Sequence, residues 1–335
     1  MASHHDGCGS SSTAATSTAA EPFANMQLLF VINTAFHGSG KIVYSWSPLS
    51  LCVATTGTTR VVHIFDSRGQ LLEQIVPPSP SVCTALEWNC TGEVLAIAQA
   101  SSAVLVLWYM GTGEKREVDV GYRDITFLKW APSGGLLALG TSKGAVIIYN
   151  SRTHARREAE GRHKRRIVCG DWNGNECLAY ASEDRQITVT SPEGRTIVNF
   201  KCKCKAHGVS FGGAREVNGS IVSVNMEGRT ILLYNLLEKD NALELAFQQK
   251  YGRIVAYKWF GDGLIMAGFA SGYVVVSSVN QSLSPDDRAH SCALCALVDL
   301  LDALSFFCIA RDRLLLIMHT RCFADDYNSA TLLFQ

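Results

Sequence analysis

Apolar residues along this chain come in short bursts. Runs such as Leu86-Glu-Trp, Val94-Leu-Ala-Ile-Ala and Val104-Leu-Val-Leu-Trp are separated by turn residues such as Cys90-Thr-Gly-Glu or Ser133-Gly-Gly. β-branched and aromatic enrichment between short turns predicts strands. No long window carries a 3.6-residue apolar stripe, apart from a weak signal after residue 283.

The bursts repeat. Trp46, Trp88, Trp130 and Trp172 are spaced by 42 residues, Trp259 falls roughly two periods later, and Phe211 stands near the skipped position. A second marker, the end of an apolar run, recurs at Phe65, Trp108, Tyr149, Thr190, Tyr234 and Ser277. Each period predicts a strand ending in Trp, a small-residue strand such as Leu136-Leu-Ala-Leu-Gly, an apolar strand such as Ala145-Val-Ile-Ile-Tyr, and a polar closing stretch such as Glu114 to Val120. Four strands in about 42 residues is the grammar of a WD40-type β-propeller blade. A single blade cannot bury both its faces, so blades must stack into a ring. Six units run from about residue 41 to 281. Cys292 to Leu297, Leu304 to Ala310 and Arg313 to Met318 offer strands for a seventh, and Met26 to Ile32 stands where a ring-closing outer strand would lie. The expected fold is therefore all-β, a seven-bladed WD40-type propeller with a divergent last blade. Its expected parts are a disordered Ser/Thr/Ala-rich leader over 1–25, the propeller over 26–320 and a divergent tail over 321–335.

Composition narrows the function. Thirty Lys and Arg balance thirty Asp and Glu, which argues against a general polyanion binder and so against nucleic acid as partner. The hydrophobic fraction of 47% against 18% charged marks a chain that builds a core. Its twelve cysteines lie mostly inside apolar runs and show no small secreted disulfide framework, which points to reduced thiols in a cytosolic compartment. Residues 1–25 contain no apolar core and no Arg or Lys, so neither a secretory signal nor a transit peptide fits. The longest apolar stretch, Cys292 to Ala310, carries Asp299 and Asp302. Each would cost roughly 2.5–3.5 kcal/mol at a bilayer centre, so buried strands are expected there and no transmembrane segment.

Candidate chemistry is sparse. No catalytic template, phosphate-cradling loop or cofactor motif appears. Cys292-Ala-Leu-Cys near His290, and Cys202-Lys-Cys before His207, have the spacing of half a zinc site, but a structural site needs four ligands, and residues three apart on one strand face opposite ways. Buried thiols are the expectation, with no metal. The tryptophans follow the repeat and are read as core. Asp66 after Phe65 matches the Trp-Asp signature position, where the other units carry Tyr109, Asn150, Ser191 and Asn235. The strongest charge feature is the run from Arg152 to Arg166, with Arg152, His154, Arg156, Arg157, Arg162, His163, Lys164, Arg165 and Arg166 against Glu158 and Glu160. Repeat position puts it on the exposed outer strand of the third unit and the loop to the fourth. It is either a solvated edge protected by its charge or a docking patch for an acidic partner, anionic lipid head groups or tubulin tails. Its candidate contact residues are Arg152, Arg156, Arg157, Arg162, His163, Lys164, Arg165 and Arg166.

Longer segments add a resemblance. Val61-Val-His-Ile-Phe-Asp-Ser-Arg-Gly-Gln, Gly140-Thr-Ser-Lys-Gly-Ala-Val-Ile-Ile-Tyr-Asn, Gly161-Arg-His-Lys-Arg-Arg-Ile-Val-Cys-Gly-Asp-Trp-Asn, the run from Phe247 to Gly263 and Gly263-Leu-Ile-Met-Ala-Gly-Phe-Ala-Ser-Gly resemble the N-terminal propeller of the WD-repeat protein nineteen family, from about Met26 to Val279. Those proteins are WD/tetratricopeptide subunits of intraflagellar transport complex A. The resemblance implies a non-enzymatic scaffold in retrograde ciliary transport and cilium assembly. It implies the other complex subunits as partners, and location in the cytoplasm, the cilium or flagellum and its basal body. The family plan adds a second propeller and a helical repeat tail, which this chain does not carry, so it reads as a fragment, a truncated gene model or a short paralogue. The alternative is a generic WD40 adaptor, such as a ubiquitin-ligase substrate receptor or a vesicle-coat subunit. A propeller enzyme would need polar side chains converging on the channel, where the innermost strands are mostly apolar or small.

Overall fold

The computed structural model describes residues 27–212, 220–238, 242–260, 263–271, 273–278, 303–310, 313–320 and 330–334. The leader over 1–25 and the expected strand at Cys292 to Leu297 lie outside the described residues. From residue 43 to 278 the chain is a succession of antiparallel meanders, each pairing only with its sequence neighbours. The sheets span residues 43–75, 83–119, 125–158, 167–201, 206–246 and 254–278. The first five have four strands and the sixth shows three among the described residues. This is the WD40-type propeller architecture that the 42-residue period predicts.

Strand order within a sheet follows the pattern of polarity. The first strands, such as Cys83–Trp88 and Ile125–Trp130, pack against the first strands of the adjacent sheets. Second and third strands such as Leu137 to Leu139 and Val146 to Tyr149 are buried between sheets. Fourth strands such as Lys115–Asp119 and Arg156–Glu158 are exposed and charged. The core is thus a series of slabs between sheets, as where Leu105 and Leu107 meet Leu137, Leu139 and Ile147.

The sheets are joined by the tryptophans. Trp88 donates its indole N–H to the carbonyl of Ser45 at 3.1 Å, Trp130 to that of Glu87 at 3.2 Å and Trp172 to that of Lys129 at 2.9 Å. In every case the acceptor is the residue just before the Trp position of the preceding sheet. These indoles are 3–6% exposed, so each bond is made away from water, where an unpaired partner would cost roughly 1–3 kcal/mol. The fifth unit has Phe211, whose side chain has no N–H to offer. There the equivalent preceding residue, Asp171, reaches across with its side chain. Its carboxylate accepts the Ser210 hydroxyl at 2.9 Å and the Phe211 backbone N–H at 3.1 Å. In the sixth unit Trp259 donates to the Ser223 hydroxyl at 2.8 Å, which donates in turn to the Ser210 carbonyl at 2.8 Å. Ser210 again precedes the Trp-equivalent residue, so the same acceptor is reached through a one-hydroxyl relay. Gly212 makes room for this. A Cβ there would lie 2.0 Å from the Trp259 ring.

Two further pairings involve the ends of the described chain. Ala303–Ala310 pairs with Arg313–Thr320, close to two of the expected late strands, and Gln27–Ile32 pairs with Ala330–Phe334. The second of these brings part of the expected tail, residues 321–335, against the expected ring-closing strand. A four-residue helix, Thr34–His37, capped by the Asn33 side chain, follows the first strand and was not anticipated by the period.

Trp130→Phe keeps an aromatic ring but removes the N–H that ties it to the Glu87 carbonyl and leaves a void beside it. It is expected to lower unfolding stability by about 3 kcal/mol. A urea melt with an unchanged midpoint would contradict the role given to the indole N–H.

Candidate functional site

The chain from Arg152 to Arg166 crosses the third sheet from one end of its strands to the other. Arg152 and His154 sit in the turn between the third and fourth strands, and Arg156 and Arg157 lie on the short outer strand Arg156–Glu158. Arg162 to Arg166 form the connection at the opposite end, leading to Ile167–Trp172. The structure therefore divides the linear basic run instead of gathering it. Arg156 is engaged by the Asp119 carbonyl of the second sheet. Arg157 lines a cleft of about 320 Å³ with Leu136, Ile148, Asn150, Glu176 and Glu193. A hydrogen bond with Ser191, backbone hydrogen bonding, and the nearby Arg157 and Arg195 guanidinium groups hold the Glu193 carboxyl below the usual carboxylate range.

His163 corrects the expectation most sharply. It was placed in the exposed patch, but it is 3% exposed. Its Nδ1 lies 3.1 Å from both Asp184 carboxylate oxygens and its Nε2 lies 3.0 Å from the Thr188 hydroxyl. The Tyr180 ring packs edge-on at 5.3 Å. Every partner is satisfied when Asn199 donates to the Thr188 oxygen, Thr188 donates to Nε2 and Nδ1–H donates to Asp184. Burial pushes the Asp184 carboxyl up. Hydrogen bonds from the Gln186 backbone, the His163 ring and the Lys164 backbone outweigh it and hold that carboxyl below its ordinary value. His163 is thus an anchor and not a contact residue.

The anchor fixes the whole loop. The His163 N–H donates to the Gly144 carbonyl, Ser182 Oγ donates to the Arg165 carbonyl, and the Glu183 N–H donates to the Arg166 carbonyl. Gly144, at φ +83°, leaves no space for a side chain, since a Cβ would lie 2.2 Å from the His163 carbonyl oxygen. With its backbone held this way, the loop turns Arg162, Lys164, Arg165 and Arg166 to solvent. These four share one rigid loop, while Arg152, Arg156 and Arg157 lie elsewhere on the sheet. The sequence signal for the anchor was a Gly161-Arg-His triplet in the connection, with Ser182-Glu-Asp at the turn of the sheet that follows.

Among the described residues, which include the Cys202 motif, no group of three or more His, Cys, Asp or Glu side chains could hold a metal. Cys202 is buried, which pushes its thiol up to about 11, while His207 is exposed. The Cys292 motif lies outside the described residues. No helix among them is long and apolar enough to cross a membrane.

Because the folded-state value of Asp184 is depressed, its contribution to stability is present above the unfolded carboxyl value, near 3.9. It is lost as pH falls through the lower folded value. Asp184→Asn is expected to cost about 1–2 kcal/mol at pH 7, and the gap to the parent should close on acidification below about pH 4. Denaturant melts showing the same gap at pH 7 and pH 3 would contradict this.

Comparison with known proteins bears on the six sheets from residue 43 to 278. A profile for the WDR19 first beta-propeller matches residues 42–287. Human WD repeat-containing protein 19 is 37% identical over 246 residues, which is 71% of this chain and 18% of that protein. WD repeat-containing protein dyf-2 of Caenorhabditis elegans is 30% identical over 253 residues, 73% of this chain and again 18% of the relative. The chain therefore spans less than a fifth of the length of these curated relatives. The matched region begins just before the first Trp-terminated strand and runs past the sixth sheet, so the Trp-to-carbonyl joints and the anchored basic loop lie inside it. The chain belongs to the WDR19 first β-propeller family.

Proposed function

We propose that this propeller is a non-enzymatic scaffold of intraflagellar transport complex A, acting in retrograde ciliary transport and cilium assembly. Its places of action are the cytoplasm, the cilium and the basal body. Family membership supports the assignment, and the observation that carries the mechanism is the anchored loop. A scaffold must present contact groups without reordering on binding, since ordering a loop costs binding free energy. Here the backbone of 162–166 is fixed by His163, Asp184, Ser182 and Gly144, and four cations project from it. We infer also that the ring has seven blades, its last sheet combining Ala303–Ala310, Arg313–Thr320 and Ala330–Phe334 with Gln27–Ile32 as the closing outer strand. The pairing of the first and last described strands supports that closure.

The partner surface proposed for the loop is an acidic face of another complex subunit. Reversing Arg162, Lys164, Arg165 and Arg166 together to Glu should leave the melting temperature unchanged, because all four side chains are exposed. Co-purification of complex A subunits from ciliated cells is expected to fall at least tenfold. Undiminished recovery would overturn the contact assignment, and recovery of a cullin adaptor or coat subunits instead would favour the generic adaptor.

A further inference from the structure

The formal net charge of the chain is zero, but the charges are sorted between the two ends of the strands. In each meander the turn between second and third strands lies at the same end as the connection that enters the sheet. Repeated hydrogen bonds tie the two together. The Ala100 N–H donates to the Val82 carbonyl, Ser142 to Asp124, Glu183 to Arg166, Glu227 to Lys205 and Ala270 to Arg253. Sheets also stack in the same sense, as the Thr84 hydroxyl bond to the Ile125 carbonyl and the Thr126 bond to Ile167 show.

At that end, segments 33–42, 57–61, 120–124, 142–145, 159–166, 183–185, 202–205, 227–229 and 247–253 carry fourteen Lys and Arg against five Asp and Glu. All fourteen cations are exposed, whereas four of the five acids are half-buried. Three of those four are already bonded to backbone: Asp124 accepts from Ser101, Asp184 from Lys164 and Gln186, and Glu227 from Lys205. At the opposite end, segments 47–52, 66–70, 89–93, 110–114, 131–135, 151–155, 173–177, 191–195 and 236–238 carry three cations against six acids. The propeller is a disc with one cationic face.

We propose that this face docks on an anionic lipid surface. The cations come from the turns of the first, third, fourth and fifth sheets as well as from the connections, so no single groove concentrates them and a planar anion array matches them better than a narrow strand of polypeptide. The paired loop bonds hold the backbone at several of them, Arg166, Lys205 and Arg253 among them. The largest exposed apolar side chains, Leu49, Leu51 and Leu237, belong to the opposite end, while the cationic end exposes Val76 and Val82 in the connection 76–82, so the attraction is chiefly electrostatic and peripheral. This proposal stands independently of the partner contact assigned to loop 162–166, which supplies only four of the fourteen cations.

The test is co-sedimentation of the purified chain with phosphatidylcholine vesicles, with and without 30% phosphatidylserine. Binding is expected to rise at least tenfold with the anionic lipid near 0.1 M salt. It should vanish at 1 M, where the Debye length has shrunk from about 10 Å to about 3 Å. A variant combining Lys203→Glu, Lys205→Glu, Arg229→Glu and Arg253→Glu leaves loop 162–166 intact and should lose at least tenfold in vesicle binding. Its recovery of complex subunits reads the other proposal separately. Arg68→Glu, Arg152→Glu and Arg195→Glu at the opposite end should change nothing. Equal binding to neutral and anionic vesicles would overturn the proposal. So would equal loss in both variants, or salt-sensitive binding of a polyglutamate peptide with no vesicle binding.

Discussion

One donor and one acceptor recur through the structure, an indole N–H at the end of each inner strand and the residue before the equivalent position in the preceding sheet. Three tryptophans make this bond directly to a carbonyl, and together they fix how far and in what register each sheet sits against the last. The 42-residue period is the sequence image of that bond, because donor and acceptor must return to the same strand end in every unit. The exceptions show the same constraint. Where Phe211 removes the donor, Asp171 turns its carboxylate into the joint, and where Trp259 sits farther off, the Ser223 hydroxyl bridges the gap. An ion pair lies on the same row, Lys129 with Glu87 at 3.0 Å. Both partners are partly exposed, so it contributes far less than the buried indole bonds.

Fixed sheets fix the loops between them. Each turn between second and third strands is bonded to the connection entering its own sheet, so the strand ends are as rigid as the slabs they close. In the fourth sheet this anchoring is strengthened by a buried histidine and a carboxylate, and the product is a loop whose backbone is committed inward and whose cationic side chains are committed outward. Charge sorting follows from the same geometry. Acids at the cationic end are largely consumed by backbone N–H groups, while the cations reach solvent, even where Arg185 bonds the Lys203 carbonyl and Lys203 pairs with Glu244.

The repeat, the strand types and the all-β architecture were legible because Trp position and apolar bursts are properties of single units. What the tryptophans bond to was not legible, since the acceptor is a backbone carbonyl one period away and any residue supplies one, here Ser45, Glu87 or Lys129. The basic run from Arg152 to Arg166 was legible as composition and misleading as a patch. A sequence stretch that climbs a strand places its two halves at opposite ends of the sheet, and the His163 imidazole within it is short enough to turn inward where the neighbouring Lys and Arg are not. The cationic face, in contrast, was hidden in a net charge of zero, because its members are scattered over the chain and meet only once the turns are sorted by strand end.

The dependence of the propeller on its indole bonds is tested most directly by hydrogen exchange at the tryptophan side chains. The indole N–H groups of Trp88, Trp130 and Trp172 should exchange as slowly as the amides of the buried second strands and be released with them in the same unfolding event. Rapid exchange of these three indoles while the strand amides remain protected would show that the sheets hold together without them, and would contradict the account.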